Sequence, residues 1–276
     1  MKSNRLLSML LSAGLGVLSV MHPSDARADK PKAASSAEVP MTKKPIALPL
    51  AGVVWGQSQK QVAEALDKII DEDYRTQYKE VQPGVQMKAL DAQVAEDKSQ
   101  FRRSRIDFGK IPTGVDSTPL RGEYTYQNKE SMMTLTRKGA NTHFFFIGDK
   151  LWKMIVEYKL TESSALGKTY MDGVVKLSTI YGIPGRVQPP NDTRYVTEVD
   201  WKDGTTHVRA IERGENALGL AYEDNATLAS LPSLRTNKPV DDNGIDPAVA
   251  AAVRGASPEP GPPPPPKDDK KGKPKR

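Results

Sequence analysis

The side chains of this 276-residue chain whose types and spacing could do chemistry are its histidines, its clustered carboxylates and two groups of cations. His22 falls in the N-terminal segment, so His143 and His207 remain, far apart in sequence. A metal site needs closely spaced His or Cys, or acidic ligands at set intervals. The chain has no cysteine and no such interval, so no metal or other cofactor is expected, and each histidine reads as a structural residue of a strand. Asp71, Glu72 and Asp73 form one acidic run, Glu198 and Asp200 a second. Glycoside hydrolysis would need two carboxyl groups facing one cleft at a defined separation, which sequence alone does not supply. The simpler reading is a solvated helix end and the wet face of a hairpin. There is no Gly-x-Ser-x-Gly elbow, P-loop or dinucleotide fingerprint.

The first basic group is Arg102, Arg103 and Arg105. At the end of a helix these cations complement the helix dipole; the alternative is a binding patch for an acidic partner. The second comprises Lys267, Lys270, Lys271, Lys273, Lys275 and Arg276, with Asp268 and Asp269 among them, behind the five prolines 262–266. A proline run favours an extended polyproline II spacer. The basic end beyond it is either a solubilising tail or a weak tether to an anionic envelope surface such as phospholipid, lipopolysaccharide or wall polymer.

The net charge of +6 is all at the two ends. Lys2, Arg5 and Arg27 against Asp25 leave +2, and the last ten residues contribute +4, so residues 29–266 sum to zero. A neutral middle is not a phosphate-binding surface, and nucleic acid is not an expected partner.

The N-terminus has the three parts of a secretory signal peptide: Lys2 and Arg5, the apolar run 6–20, and the small-x-small site Ala26-Arg27-Ala28, with cleavage before Asp29. The 15-residue run is shorter than the roughly 20 residues that span a bilayer; an uncleaved anchor is the alternative. Exported proteins of animals tend to carry disulfides, and lipoproteins need a cysteine after the leader. A chain without cysteine therefore reads as an unlipidated bacterial protein of the periplasm or the medium.

These features must be positioned by the middle of the chain. Residues 29–47 and 235–276 are rich in Pro, Lys, Ala and Ser and read as unstructured linker and tail. Residues 48–234 read as the folded domain. Ser58 with Gln61 forms a capping box, and Val62, Leu66 and Ile69/Ile70 follow on one helical face, predicting a helix to about Asp71. A second helix is expected over roughly 84–103. A third carries Leu166, Tyr170, Val174, Leu177 and Tyr181, capped by Ser163 or Ser164 and ended by Gly182 and Pro184.

Between helices the period falls to two. Strands are expected around Met133 to Leu135, His143 to Ile147 and Leu151 to Leu160, with a turn at Gly148-Asp149. In the last of these Trp152, Met154, Val156, Tyr158 and Leu160 face one way. Lys153, Glu157 and Lys159 face the other, with Ile155 the exception. A second set begins at Tyr195, Val199 and Trp201, turns in type I′ geometry at Asp203-Gly204, and continues at 205–213 and 217–222, with Leu218, Leu220 and Tyr222 aligned. The fold class is therefore α+β: helices packed on antiparallel β-meanders with one wet face. The order reads as two degenerate helix-plus-meander units, 50–160 and 163–230.

Three segments carry a family resemblance: Gly-Val-Val-Trp-Gly-Gln-Ser (52–58), Phe-Phe-Phe-Ile-Gly-Asp-Lys-Leu-Trp-Lys (144–153) and Tyr-Gly-Ile-Pro (181–184). In this layout the chain resembles the SmpA/OmlA-type envelope proteins and the wider group of β-lactamase-inhibitor-like modules. The resemblance implies a periplasmic, non-catalytic, protein-binding module. SmpA/OmlA proteins are lipoproteins and this chain has no cysteine, so no functional residue carries over. The expected function is an exported interaction protein that binds an envelope or secreted protein. The alternative is an envelope-acting hydrolase with an unrecognised carboxylate pair. Two carboxylates in a cleft with perturbed acidity would favour the enzyme; exposed apolar surface without one would favour the binder.

Overall fold

The computed structural model describes residues 38–191 and 194–237. The signal-peptide features, including Ala26 and Ala28, and the basic tail lie outside the described residues. Helix α1 (Gln59–Glu80) starts at the expected capping box, with the Ser58 hydroxyl accepting from the Gln61 N–H and the Gln61 side chain accepting from the Ser58 N–H. It buries Val62, Ala63, Leu66 and Ile70. It runs past Asp71, where the apolar period ends, because its outer half is held by polar contacts to α2 (Val85–Arg103). Tyr74 donates to Asp97 over 2.6 Å, Tyr78 donates to Asp91 over 2.9 Å, and Lys98 pairs with Asp71 at 2.6 Å.

The short β1 (Ile106–Asp107) and a 3-10 turn at Gly114–Ser117 precede β2 (Glu130–Arg137), β3 (Ala140–Ile147) and β4 (Lys150–Lys159). Helix α3 (Tyr170–Tyr181) then leads into β5 (Arg186–Gln188), β6 (Glu198–Lys202), β7 (Thr206–Glu212), β8 (Ala217–Asp224) and α4 (Asn225–Leu234). The eight strands form one open antiparallel sheet in the order β1-β2-β3-β4-β8-β7-β6-β5. Each half is a meander preceded by helix, and the last strands of the two halves, β4 and β8, pair at the centre. The α+β class with helices on an antiparallel sheet is what the structure has.

One face of the sheet packs on α1, α2 and α3. Met133, Leu135, Phe144, Phe146, Met154, Val156, Val199, Trp201, Val208, Leu218, Leu220 and Tyr222 meet Val62, Leu66, Phe101, Val174 and Leu177 there. Phe101 and Phe144 meet edge-on at 5.4 Å, a geometry aromatic quadrupoles favour.

Four expectations are corrected. The other face is not wet: the segment after β1 (Phe108, Val115, Leu120, Tyr124) and α4 (Leu228, Leu231) close over Met132, Phe145, Trp152, Ile155, Ile211 and Ala221. Trp152 does not align with Met154. Phe145 pairs with Lys153 and Phe146 with Leu151, so Trp152 is the extra residue of a bulge, which rotates its ring onto the second face. Helix α3 begins later than Ser163/Ser164, because those residues form turns closed by Ser164 N–H to Thr161 O and Gly167 N–H to Ser164 O. Its capping box is Thr169 with Asp172, while Gly182, at φ 73°, ends it as expected. Finally, Asp203-Gly204 is not a type I′ turn, since neither residue has positive φ. The Asp203 carboxylate instead accepts from the Thr205 and Thr206 N–H groups, each at 2.7 Å, a side-chain mimic of a turn. Gly148 and Asp149 do take the two positive φ values, 55° and 61°, of their hairpin.

Packed chain also extends beyond the expected 48–234. Lys202 N–H donates to Pro40 O and Thr42 N–H to Lys202 O, and Ile46 is buried. After α4, Arg235 reaches Glu130 at 2.8 Å and lies over the Trp152 ring.

Candidate functional site

Alternation along a strand sends neighbouring residues to opposite faces. The residues between the first-face apolar side chains of β4, β6, β7 and β8 are Lys153, Glu198, Asp200, His207, Arg209 and Glu223. Register sets them side by side: Lys153 and His207 each pair with Glu223, and Asp200 pairs with Arg209. Glu123, from the segment that covers this face, completes the group.

The contacts are short and nearly closed. Lys153 Nζ donates to the Glu123 carbonyl at 2.5 Å and to Glu123 Oε2 at 2.8 Å, and lies 3.7 Å from Glu223. It also sits 4.4 Å above the Trp152 ring, so the bulge that moves Trp152 supplies a cation–π partner. Arg209 donates to Glu123 (2.7 Å), to both oxygens of Glu223 (2.9 and 3.1 Å) and to Glu198 (3.2 Å). His207 places Nδ1 2.9 Å from Glu223 and Nε2 3.2 Å from Asp200. Arg186 grips both oxygens of Asp200 (3.0 and 2.6 Å), and Gln188 adds a donor at 2.7 Å. The Lys153 side chain is 3% exposed, Glu223 5% and Asp200 0%.

The acidities follow from this geometry. Burial by itself would push Glu123 up, but Arg209 and Lys153 outweigh it and hold the carboxyl at about 2. Glu223 faces the same burial, and Arg209, His207 and Lys153 hold it well below the usual carboxylate range. Asp200 is lowered against burial by His207 and Arg186. His207 is opposed by burial yet raised by Asp200 and Glu223, which favour the imidazolium. Arg213, 3.9 Å from Glu123, goes the other way: burial lowers it, and its Nε and Nη2 have no hydrogen-bond partner. Glu123, Glu223 and Asp200 are each engaged by cations of the same face, which favour their ionised form. Among the described residues no three His, Cys, Asp or Glu side chains are placed to hold a metal ion.

Arg102, Arg103 and Arg105 go three ways. Arg102 forks onto Asp67 of α1 (3.0 and 2.6 Å), Arg103 pairs with Glu96 and Ser99 of its own helix, and Arg105 pairs with Asp107 (3.0 and 2.8 Å). The first acidic run also disperses: Asp71 to Lys98, Glu72 to Arg75, Asp73 to Arg137 and Lys138. His143 lies on β3 against Thr134 (3.0 Å), beside Glu157. Lys267, Lys270, Lys271, Lys273, Lys275 and Arg276 lie outside the described residues. Sequence reasoning missed Lys153, Glu123, Arg209 and Glu223. Charge on alternate positions of β6–β8 was the available signal, but a solvated face has the same pattern.

A separate open cavity of about 760 Å³ lies at the β1 edge, between the start of α1, the 105–110 strand and the residues leading into β2. Lys60, Arg105, Lys110 and Lys129 line it, with Phe108 and Asn237.

No family model matches the chain, and no curated protein matches it. Among solved structures, it is similar over 42% of its length to a cysteine-rich secretory protein from Staphylococcus aureus, at 11% identity and a TM-score of 0.24. The match spans 45% of that protein, and at this level it carries no argument about fold or function.

Proposed function

We propose that this chain is an exported bacterial binding protein, without chemistry of its own, that recognises another protein of the envelope or medium. The observation that carries this reading is the saturation of the buried charge cluster. A hydrolase that works with a carboxylate pair needs one carboxyl held near the working pH and a second group free to act on water or substrate. Here Glu123 is held at about 2, Glu223 and Asp200 are held low, and the oxygens of all three are engaged by cations of the same face. Such a cluster orders the sheet and the segment that covers it.

Function then falls to the surface. Ile180, Val187 and Tyr195 are exposed by 56%, 62% and 83%, and Val187 sits on β5, the three-residue strand at one end of the sheet. An edge strand with an outward apolar side chain supports recognition by strand addition. The Sec-type leader features at residues 1–28 support the exported setting.

The test is capture from a bacterial envelope fraction by the chain beginning at Asp29, run beside Val187→Lys and Tyr195→Lys variants. A partner retained by the parent and lost by the variants is the expected result. Hydrolysis of an envelope polymer that disappears in Glu123→Gln or Asp200→Asn would overturn the reading.

A further inference from the structure

The backbone beside β6 shows which groups the sheet edge leaves open. Along a strand the N–H and C=O of one residue point the same way, and successive residues alternate. Asp203 N–H donates to Thr206 O and Glu212 N–H to Thr197 O, so the odd-numbered residues of this stretch turn toward β7. Lys202 turns the other way, donating to Pro40 O and accepting from Thr42 N–H. Glu198 and Asp200 therefore bond to Gln188 and Arg186, their register partners on β5. Val187, between those two, points its own N–H and C=O out of the sheet.

Met41 does the same. Its parallel bridge to Lys202 uses Pro40 O and Thr42 N–H, which leaves the N–H and C=O of Met41 facing outward. Val187 lies opposite Val199 and Met41 opposite Lys202, so roughly 10 Å of β6 separates them. Both side chains are exposed, Met41 by 52%. Alternation places Val187 on the face of Val199 and Met41 on the opposite face, with Lys202. Lys43 and Lys44 follow Met41, and neither pairs with a carboxylate among the described residues. The carboxylates beside them are engaged: Glu38 by Lys202, and Asp203 by the N–H groups of Ile46, Thr205 and Thr206.

We propose that β5 and the 40–42 segment form one composite edge that receives an extended segment of another protein, with apolar residues three apart and an acidic residue at the Met41 end. This rests on the binding function proposed above and gives the partner its chemistry. The incoming residue beside Val187 bonds through both of its backbone groups. Three residues on, the neighbours of the residue beside Met41 are in the same phase, so a single strand satisfies all four outward groups. The apolar residues then fall on opposite faces, against Val187 and Met41, and the acidic residue meets Lys43 and Lys44. A second copy of the chain does not fit. Symmetric pairing of β5 with itself would bring residues 189–191 of that copy opposite Met41, where Pro189 O and Asn191 N–H are already bonded to Arg194.

A random dodecapeptide library displayed on phage, panned against the chain beginning at Asp29, supplies the probe. Enriched sequences should carry two apolar residues three apart with Asp or Glu beyond one of them. Val187→Pro and Met41→Pro each remove an outward N–H and no inward hydrogen bond, a position where an edge strand tolerates proline. Each should weaken the selected peptide roughly tenfold, the worth of one hydrogen bond, and leave the melting temperature unchanged. Amide exchange on the unmodified chain answers the question even if a variant misfolds. The Val187 and Met41 amides should exchange fast in the free chain, and both should slow roughly tenfold with peptide bound. A peptide that protects Val187 alone overturns the composite edge and leaves the binding function above in place. Failure to enrich any sequence also overturns it, and the envelope capture then decides the binding function separately. Protection of both amides by raised protein concentration without peptide assigns the edge to a second copy and overturns the proposed partner.

Discussion

Replacing Arg209 with methionine keeps most of the side-chain volume and removes the cation that touches Glu123, Glu223 and Glu198 together. Removing one partner of a buried ion pair leaves the other charge uncompensated, at a cost of about 3–5 kcal/mol. The acidity of Glu123 suggests the same scale. Holding its carboxyl at about 2, against an ordinary 4.5, corresponds to about 3 kcal/mol at neutral pH. For a domain of this size each kcal/mol moves the melting temperature by about 2–4 °C, so the expected drop is about 6–20 °C. Thermal unfolding followed by tryptophan fluorescence measures it, and urea unfolding gives the free energy, with Trp152 and Trp201 fully buried as reporters. Adding Glu223→Gln restores the balance of the inner cluster, because Lys153 still matches Glu123, and should recover about 1–3 kcal/mol. The pH dependence has a definite sign. A carboxylate with a depressed folded pKa stabilises above its unfolded value and loses that stabilisation as pH falls through the folded one. The parent therefore weakens between about 4.3 and 2, the variant has little of this to lose, and the gap between them narrows on acidification. A loss below about 1 kcal/mol at pH 7, or a gap that stays constant from pH 5 to 3, would refute the reasoning.

Other outcomes follow from particular contacts. The His207 pKa is raised, so its contribution is full below about 6.5 and is lost as pH rises through the folded value; His207→Gln should flatten that loss in unfolding curves taken from pH 6 to 9. A Cβ on Gly185 would lie 2.6 Å from the Trp201 ring and against Val199, so Gly185→Ala should cost about 1–3 kcal/mol by overpacking and shift the tryptophan emission. Asp203 accepts the backbone N–H groups of Ile46 (2.5 Å), Thr205 and Thr206. Asp203→Ala should cost about 2–3 kcal/mol and speed amide exchange near Ile46. Ser58→Ala removes the hydroxyl of the α1 capping box and should cost about 1 kcal/mol by urea unfolding.

Local rules made several elements legible in the sequence. The Ser58–Gln61 box, the Gly182 terminator and the Gly148-Asp149 hairpin each depend on residues within a few positions of one another, and the strand period needs only the strand. Length and order of these elements were enough for the α+β class and for a meander following each helical part. What lay beyond reach was every feature whose cause is distant in the chain. The outer half of α1 has no apolar period and is held by Asp91 and Asp97 of α2. Trp152 changes face because β4 carries one residue more than β3 allows. Lys153, Arg209 and Glu223 have the pattern of a solvated face and become a buried cluster only because Glu123 and its neighbours are laid over them by a connection 30 residues from Lys153. A charged residue on a strand looks the same in sequence whether water or an opposite charge will face it; only the tertiary structure decides, because desolvation and pairing are properties of what covers the strand.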